Sequence, residues 1–250
     1  MTDLDLTIVV PVFNEAKSLP QLHEEITAAL APDDLTFEVL YVDDGSTDES
    51  LRVLRQLASR DQRVRTVQLS QNSGQTAAFG AGFRAARGRV IATLDADLQN
   101  DPADLPRMLA ELENYDIVCG IRTDRHDSWV RLVSSRIANS VRNRLTHESV
   151  TDVGCSLRVF RSHLARDLPL FTGMHRFLPT LLRMQGGTLR EIPVRHRPRI
   201  HGESKYGIHN RLWVALADLF AVRWMQKRWI DSRVASEISS DTGSNPPDPT

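Results

Sequence analysis

The chain has 250 residues, with 31 Lys and Arg against 32 Asp and Glu, a formal charge of −1 with histidine neutral. That length holds one large α/β domain, or one domain with an appendage, and 41% hydrophobic with 25% charged residues excludes a disordered or membrane-embedded chain. A near-neutral balance gives no bulk basic field, so no nucleic acid is expected as a partner.

The opening MTDLDLTIVV carries acids where a signal peptide carries positive charge, and its apolar run is short; it is expected to be mature, cytosolic sequence. Leu6 to Phe13 is a near-continuous apolar run, predicting a strand buried on both faces. Asn14 is placed to cap a helix from about Ala16 to Leu30, where Leu19, Leu22, Ile26 and Leu30 fall at helical spacing. A second strand, Phe37 to Gly45, ends in two acids and a glycine. Ser46 or Thr47 then starts a helix through about Ala58. VRTVQLS predicts a third strand, Thr76 to Arg87 a helix, and VIATLD a fourth strand. Pro102 and a helix over Leu105 to Leu112 follow, then a fifth strand from Tyr115 to Arg122.

Beyond Arg125 the pattern changes. Trp129 to Leu145 reads as a helix, Asp152 to Phe160 as a strand, and GGTLREIPVRHRP as another. Ile208 to Ile230 reads as a final helix, and the polar, proline-rich tail from about Ser236 is expected to be disordered. Cys119 and Cys155 make neither a disulfide framework nor a zinc pattern and are expected to be small buried hydrophobes.

Strands alternating with helices imply an α/β fold with a largely parallel sheet, in which ligands sit beyond the carboxyl ends of the strands. Asn14 and Glu15, Asp43 and Asp44, Asp95 and Asp97, and Arg122 all fall at such ends, so they are expected to form one site. No glycine fingerprint follows the first strand, where PVFNEA stands, and there is no Walker loop; this argues against a hydride-transferring Rossmann enzyme. Closely set Asp95 and Asp97, with Gln99 as a further oxygen donor, suit Mg²⁺ or Mn²⁺. The competing reading is that the two aspartates cap the next helix.

Six pieces in order, VVPVFNE (9–15), VDDGSTD (42–48), NSGQTAA (72–78), LDADLQNDP (94–102), GIR (120–122) and PRIHGESKYG (198–207), carry a family resemblance. Together they resemble the family 2 glycosyltransferases, and among them the polyprenyl-phosphate (dolichol-phosphate-type) sugar transferases. The resemblance implies a GT-A fold, with a nucleotide-binding α/β sheet followed by an acceptor-binding region. On that division, 1–207 is the catalytic domain, 208–235 a C-terminal helical segment and 236–250 the tail. It implies inverting transfer of a sugar from a nucleotide-sugar donor to a polyprenyl phosphate on the cytosolic membrane face. The rival functions are a saccharide-hydroxyl acceptor, or a silent nucleotide-sugar-binding partner of a membrane enzyme. A homo-oligomer or a membrane-protein partner fits either scheme.

By the same resemblance, Pro11, Phe13 and Glu15 line the nucleotide pocket, with Glu15 accepting from ribose hydroxyls. Asp43 or Asp44 faces the base, while a turn around Gly45 occupies the other. Gln75 belongs to the pocket or simply leads into the third helix. Asp95, Asp97 and Gln99 match the metal cluster, and Asp95 also borders the nucleotide. Arg122 matches the family's GxR element and Arg125 only loosely; both are placed over donor and acceptor phosphates. Arg199, Ser204 and Lys205 match the phosphate-binding arginine and the GxSK element, although Arg195, Arg197, Arg199 and Lys205 also read as a solvated basic loop. Asp152 is the candidate general base, with Cys155 where some bacterial relatives carry a second acid. A phosphate with a second pKa of about 6 hardly needs a base, so Asp152 either orients the acceptor or begins a turn. In the last helix no span of ~20 apolar residues exists. Trp213, Trp224 and Trp229 beside Arg and Lys resemble an interfacial anchor; the alternative is a helix packed on its own domain or on a neighbour.

Overall fold

The computed structural model describes residues 4–32, 34–123, 143–144, 150–198 and 211–230, excepting the side chains of 211–215. The expected helix over Trp129 to Leu145 lies outside the described residues apart from 143–144, as do the tail and the boundaries expected near 207 and 235.

The first half alternates as the apolar runs predict: β1 (Leu4–Val12), α1 (Leu19–Leu30), β2 (Phe37–Asp43), α2 (Ser50–Arg60), β3 (Val64–Gln68), α3 (Gln75–Ala85) and β4 (Gly88–Thr93). Then come α4 (Leu105–Ala110), β5 (Ile117–Arg122), β6 (Arg158–Arg161), α5 (Leu178–Met184), β7 (Leu189–Val194) and α6 (Arg211–Arg228). Among the described residues seven strands form one sheet in the order β3-β2-β1-β4-β6-β5-β7. β6 runs antiparallel to both β4 and β5, whereas the other described pairings are parallel. Because β6 is reversed, its beginning lies on the edge where the parallel strands end. That one reversal brings the segment before β6 to the predicted site.

Every residue of β2 is buried, as a central parallel strand requires. Ile8, Val10 and Val12 of β1 pack with Leu19, Leu22 and Ile26 of α1, Leu54 of α2 and Met108 of α4 on one face. On the other face Val9, Leu40 and Val42 pack with Phe79 and Phe83 of α3, Leu178 and Leu181 of α5, and Leu219 and Val222 of α6. Each such side chain contributes ~1.5–3 kcal/mol of transfer free energy. α3 lies close on the sheet because Gly82 faces Val9; a Cβ at Gly82 would collide with Val9 Cγ1.

α6 has two faces. Leu219 and Val222 are buried in the domain, while Phe220 and Trp224, four residues apart, are 61% and 63% exposed. Arg223 thus falls among apolar positions because two apolar stripes, not one, run along the helix. No helix among the described residues is long and apolar enough to cross a membrane.

Candidate active site

The loops after β1 and β2 are built into each other. Asn14 does not cap α1, which begins at Leu19 instead of Ala16; it takes a left-handed conformation with φ 59°. Its Oδ1 accepts from the Thr47 and Asp48 nitrogens at 2.8 and 3.3 Å, and its own nitrogen donates to Ser46 Oγ at 3.0 Å. The Glu15 nitrogen donates to Ser50 Oγ at 2.9 Å, and Asp48 Oδ1 accepts from the Ser50 nitrogen at 2.9 Å. These bonds hold 46–49 as a loop, so α2 starts at Ser50 and not at Ser46 or Thr47. Glu15 itself accepts from Ser18 Oγ at 3.2 Å. Pro11 and Phe13, both half-buried, stand at the same strand end.

The two aspartates after β2 divide the work. Asp44 accepts from the Ser73 nitrogen (2.7 Å), the Gly74 nitrogen (2.9 Å) and Asn72 Nδ2 (3.2 Å), fastening the loop before α3. Asp43 is wholly buried; its Oδ1 accepts from the Ser46 nitrogen at 3.3 Å, and its Oδ2 has no hydrogen-bond partner among the described residues. A buried carboxylate oxygen without a donor is costly, and it marks Asp43 as the one with an acceptor to spare. Gly45, at φ 70°, permits the turn; a Cβ there would stand 2.5 Å from the Asn72 nitrogen.

After β4 the chain turns: Leu94, Ala96 and Leu98 enter the core, Asp97 is buried beside them, and Asp95 and Gln99 are half-buried. Leu98 adopts φ 62°, a conformation rare outside glycine. The Gln99 nitrogen donates to Asp97 Oδ1 at 3.2 Å, and Gln75, the first residue of α3, donates Nε2 to Asp95 Oδ1 at 2.8 Å. The expected capping role passes to Asp101, whose Oδ1 accepts from the Ala103 nitrogen at 3.0 Å. Among the described residues no three His, Cys, Asp or Glu side chains form a metal cage. Two carboxylates and an amide oxygen still fit a hard cation that takes its other ligands from water and phosphate.

At the end of β5, Arg122 grips Asp152 bidentately, Nε to Oδ2 and Nη2 to Oδ1, each at 2.8 Å. The Arg122 nitrogen adds a bond to Oδ2 (3.1 Å), and the Gly154 nitrogen one to Oδ1 (3.2 Å). Four donors thus occupy the roughly four acceptor positions of a carboxylate. Asp152 lies in a loop, not in the expected strand, which begins only at Arg158. Burial, with Asp152 nearby, pushes the Cys155 thiol up to about 11, so it is neither acid nor nucleophile; Cys119 is buried too, as expected.

Sequence reasoning missed a buried arginine and a half-buried histidine behind these residues. Arg158 donates to the carbonyls of His175 (3.0 Å) and Val153 (2.9 Å). His175 Nδ1 lies 3.0 Å from Thr76 Oγ1 at the start of α3. Burial, then Arg176 and Arg158, holds the His175 pKa down to about 4, so the ring is neutral. A signal existed in Arg158 itself, a charge inside an apolar strand. Arg125, Arg199, Ser204 and Lys205 lie outside the described residues.

The strand order, the reversed strand and the acids lined along one edge define a GT-A fold. The chain belongs to glycosyl transferase family 2, whose profile matches residues 7–168. It is 40% identical over 230 residues to dodecaprenyl-phosphate galacturonate synthase of Rhizobium johnstonii, covering 90% of this chain and 68% of that protein. It is 42% identical over 205 residues to the undecaprenyl-phosphate 4-deoxy-4-formamido-L-arabinose transferase of Edwardsiella ictaluri, covering 81% and 63%. The chain therefore spans about two thirds of the length of these curated relatives. A similar solved structure is the Mycobacterium tuberculosis glucosyl-3-phosphoglycerate synthase in complex with Mn²⁺, UDP and glucosyl-3-phosphoglycerate. The TM-score is 0.62 at 17% identity, over 92% of this chain and 82% of that one, a likeness of fold alone.

Proposed function

We propose that this chain is an inverting glycosyltransferase that moves one sugar from a nucleotide-sugar donor to a polyprenyl phosphate at the cytosolic membrane face, with Mg²⁺ or Mn²⁺. Two relatives at 40% and 42% identity named as polyprenyl-phosphate sugar transferases or synthases support the substrate class. The observation that carries the choice of acceptor is Asp152, whose oxygens are taken by Arg122 and the Gly154 nitrogen. A hydroxyl acceptor needs a base with a lone pair to offer. A phosphate, mostly dianionic at neutral pH with its second pKa of about 6, needs none.

In this scheme the Asp43 Oδ2 accepts from a base N–H, and Glu15 accepts from ribose hydroxyls beside Pro11 and Phe13. Gln75 fixes the Asp95 carboxylate. Asp95, Asp97 and Gln99 hold the cation, which when bound neutralises charge on the leaving diphosphate. Arg122, Arg125, Arg199, Ser204 and Lys205 bind the phosphates, with Asp152 orienting Arg122. The acceptor oxygen then attacks C1 opposite the leaving diphosphate, and the anomeric carbon inverts. The exposed Phe220–Trp224 stripe of α6, with exposed Lys227 and Arg228 beside it, suits attachment to an anionic bilayer surface where such an acceptor resides.

The test is incubation of purified protein with Mg²⁺ or Mn²⁺, undecaprenyl phosphate in detergent and a panel of nucleotide sugars, followed by mass spectrometry. A lipid-linked sugar is expected, with Asp97→Ala lowering turnover by about 10³-fold, the scale of several kcal/mol of lost charge stabilisation. Transfer only to a saccharide hydroxyl, or no turnover with any donor, overturns the reading.

A further inference from the structure

The residues between β7 and the PRIHGESKYG element look in sequence like a solvated basic run. Arg197 is instead the centre of a clasp. Its Nη1 donates to Glu25 Oε2 on α1 at 2.7 Å, and its Nη2 reaches Asp101 Oδ1 at 2.9 Å. Its backbone nitrogen donates to the Gln99 carbonyl at 2.8 Å, and Gln99 Nε2 lies 3.5 Å from the Arg197 carbonyl. Asn100 and His196 pair as an antiparallel bridge beside it, and the Arg195 nitrogen donates to Asp104 Oδ2 at 2.7 Å. The Arg197, Glu25 and Asp101 side chains are 34%, 23% and 8% exposed, so the three charges form a partly desolvated network and not an isolated surface pair.

We propose that Arg197 is a positioning residue for the Asp95–Gln99 loop, tying it to α1 and setting the direction of the Gln99 amide. The inference rests on the cation assigned to that loop above. With its N–H side turned to the Arg197 carbonyl, the Gln99 amide keeps Oε1 as its acceptor. The left-handed Leu98 between Asp97 and Gln99 persists only because its surroundings over-determine it. Its burial is one such constraint; the clasp at residues 99 and 101 is the second. Arg197 reaches the two carboxylates from separate nitrogens of one rigid plane, which the single ammonium of lysine does not reproduce fully. Leu94, Ala96 and Leu98 stay packed in the core without the clasp, so its loss loosens the loop and leaves the domain standing.

Mn²⁺ binding to the full chain with UDP, read as the loss of free-ion signal by electron paramagnetic resonance, tests this without any turnover. Hydrogen exchange of amides 97–101 in metal-free protein is measured alongside. Arg197→Gln is expected to weaken Mn²⁺ binding about tenfold, the lower scale for losing a partner that orients a ligand, and to speed exchange in the loop with little change in Tm. Arg197→Lys falls between, and adding Glu25→Gln to Arg197→Gln has no further effect. Wild-type Mn²⁺ affinity together with wild-type exchange in Arg197→Gln overturns the proposal. If the wild type takes up no Mn²⁺ yet Arg197→Gln speeds exchange, the metal assignment fails and the clasp stands as a loop-positioning device.

Discussion

The two sides of the sheet edge are held by different chemistry. On the side of β1 and β2, neutral Asn and Ser groups and the Asp44 carboxylate bind backbone nitrogens of neighbouring loops. On the side of β5, β6 and β7, arginines bind carboxylates: Arg122 with Asp152, Arg197 with Asp101 and Glu25. The first kind gives a rigid cradle with one oxygen, on Asp43, left over. The second kind holds positive charge in place by counter-charges, which would suit the phosphate-binding role proposed for Arg122, because a phosphate competes for the same guanidinium.

Within the second kind, breaking the Arg122–Asp152 pair should have the largest effect on stability. Asp152→Asn leaves Arg122, a mostly buried cation, without its counter-charge, and is expected to cost about 3 kcal/mol in chemical denaturation. Its turnover, measured under folding conditions, is expected to stay within about tenfold of wild type, below the 10²–10⁴-fold usual for a lost general base. A larger loss that shrinks at low pH, where a wild-type base would already be protonated, would mean that Asp152 takes a proton. On the cradle side, Asp44→Ala removes the acceptor of three donors and is expected to lower stability by about 2 kcal/mol. Asp43→Asn should leave the unfolding midpoint unchanged and weaken nucleotide binding about tenfold, the worth of one charge-assisted hydrogen bond. Equal effects of the two substitutions would erase the distinction drawn between them.

His175 joins the two sides, and its effect is one of pH. Its pKa is about 4 in the folded protein against 6.5 for the unperturbed ring, so the unfolded chain binds the proton more tightly. The stability linked to a neutral His175 is therefore complete above 6.5 and is lost as pH falls toward 4, roughly 2–3 kcal/mol in all. In His175→Gln, denaturation curves taken from pH 7 to pH 4 should decline less steeply. Identical slopes would show that the ring does not titrate there.

The strands were legible because parallel strands buried on both faces leave apolar runs, and the strand-end part of the candidate site was legible because charges stop those runs abruptly. What could not be read depends on distance along the chain. Arg197 meets Glu25 across 172 residues and Gln99 across 98, and a basic run looks solvated until its partners are known. The helix starts after β1 and β2 were misplaced for a related reason. Asn14 and Ser46 have the right chemistry for caps, yet each bonds to the other's loop, a choice only tertiary contact decides. The short β6 was hidden by the apolar bend that precedes it.

The chain has two cysteines, both buried, and Cys155 keeps its proton far above neutral pH. Maleimides and similar electrophiles therefore find no exposed thiol to attack in the folded protein. A cysteine introduced at the exposed Phe220 or Trp224 would be the single reactive handle, so a fluorophore or spin label can be placed there with no background to remove.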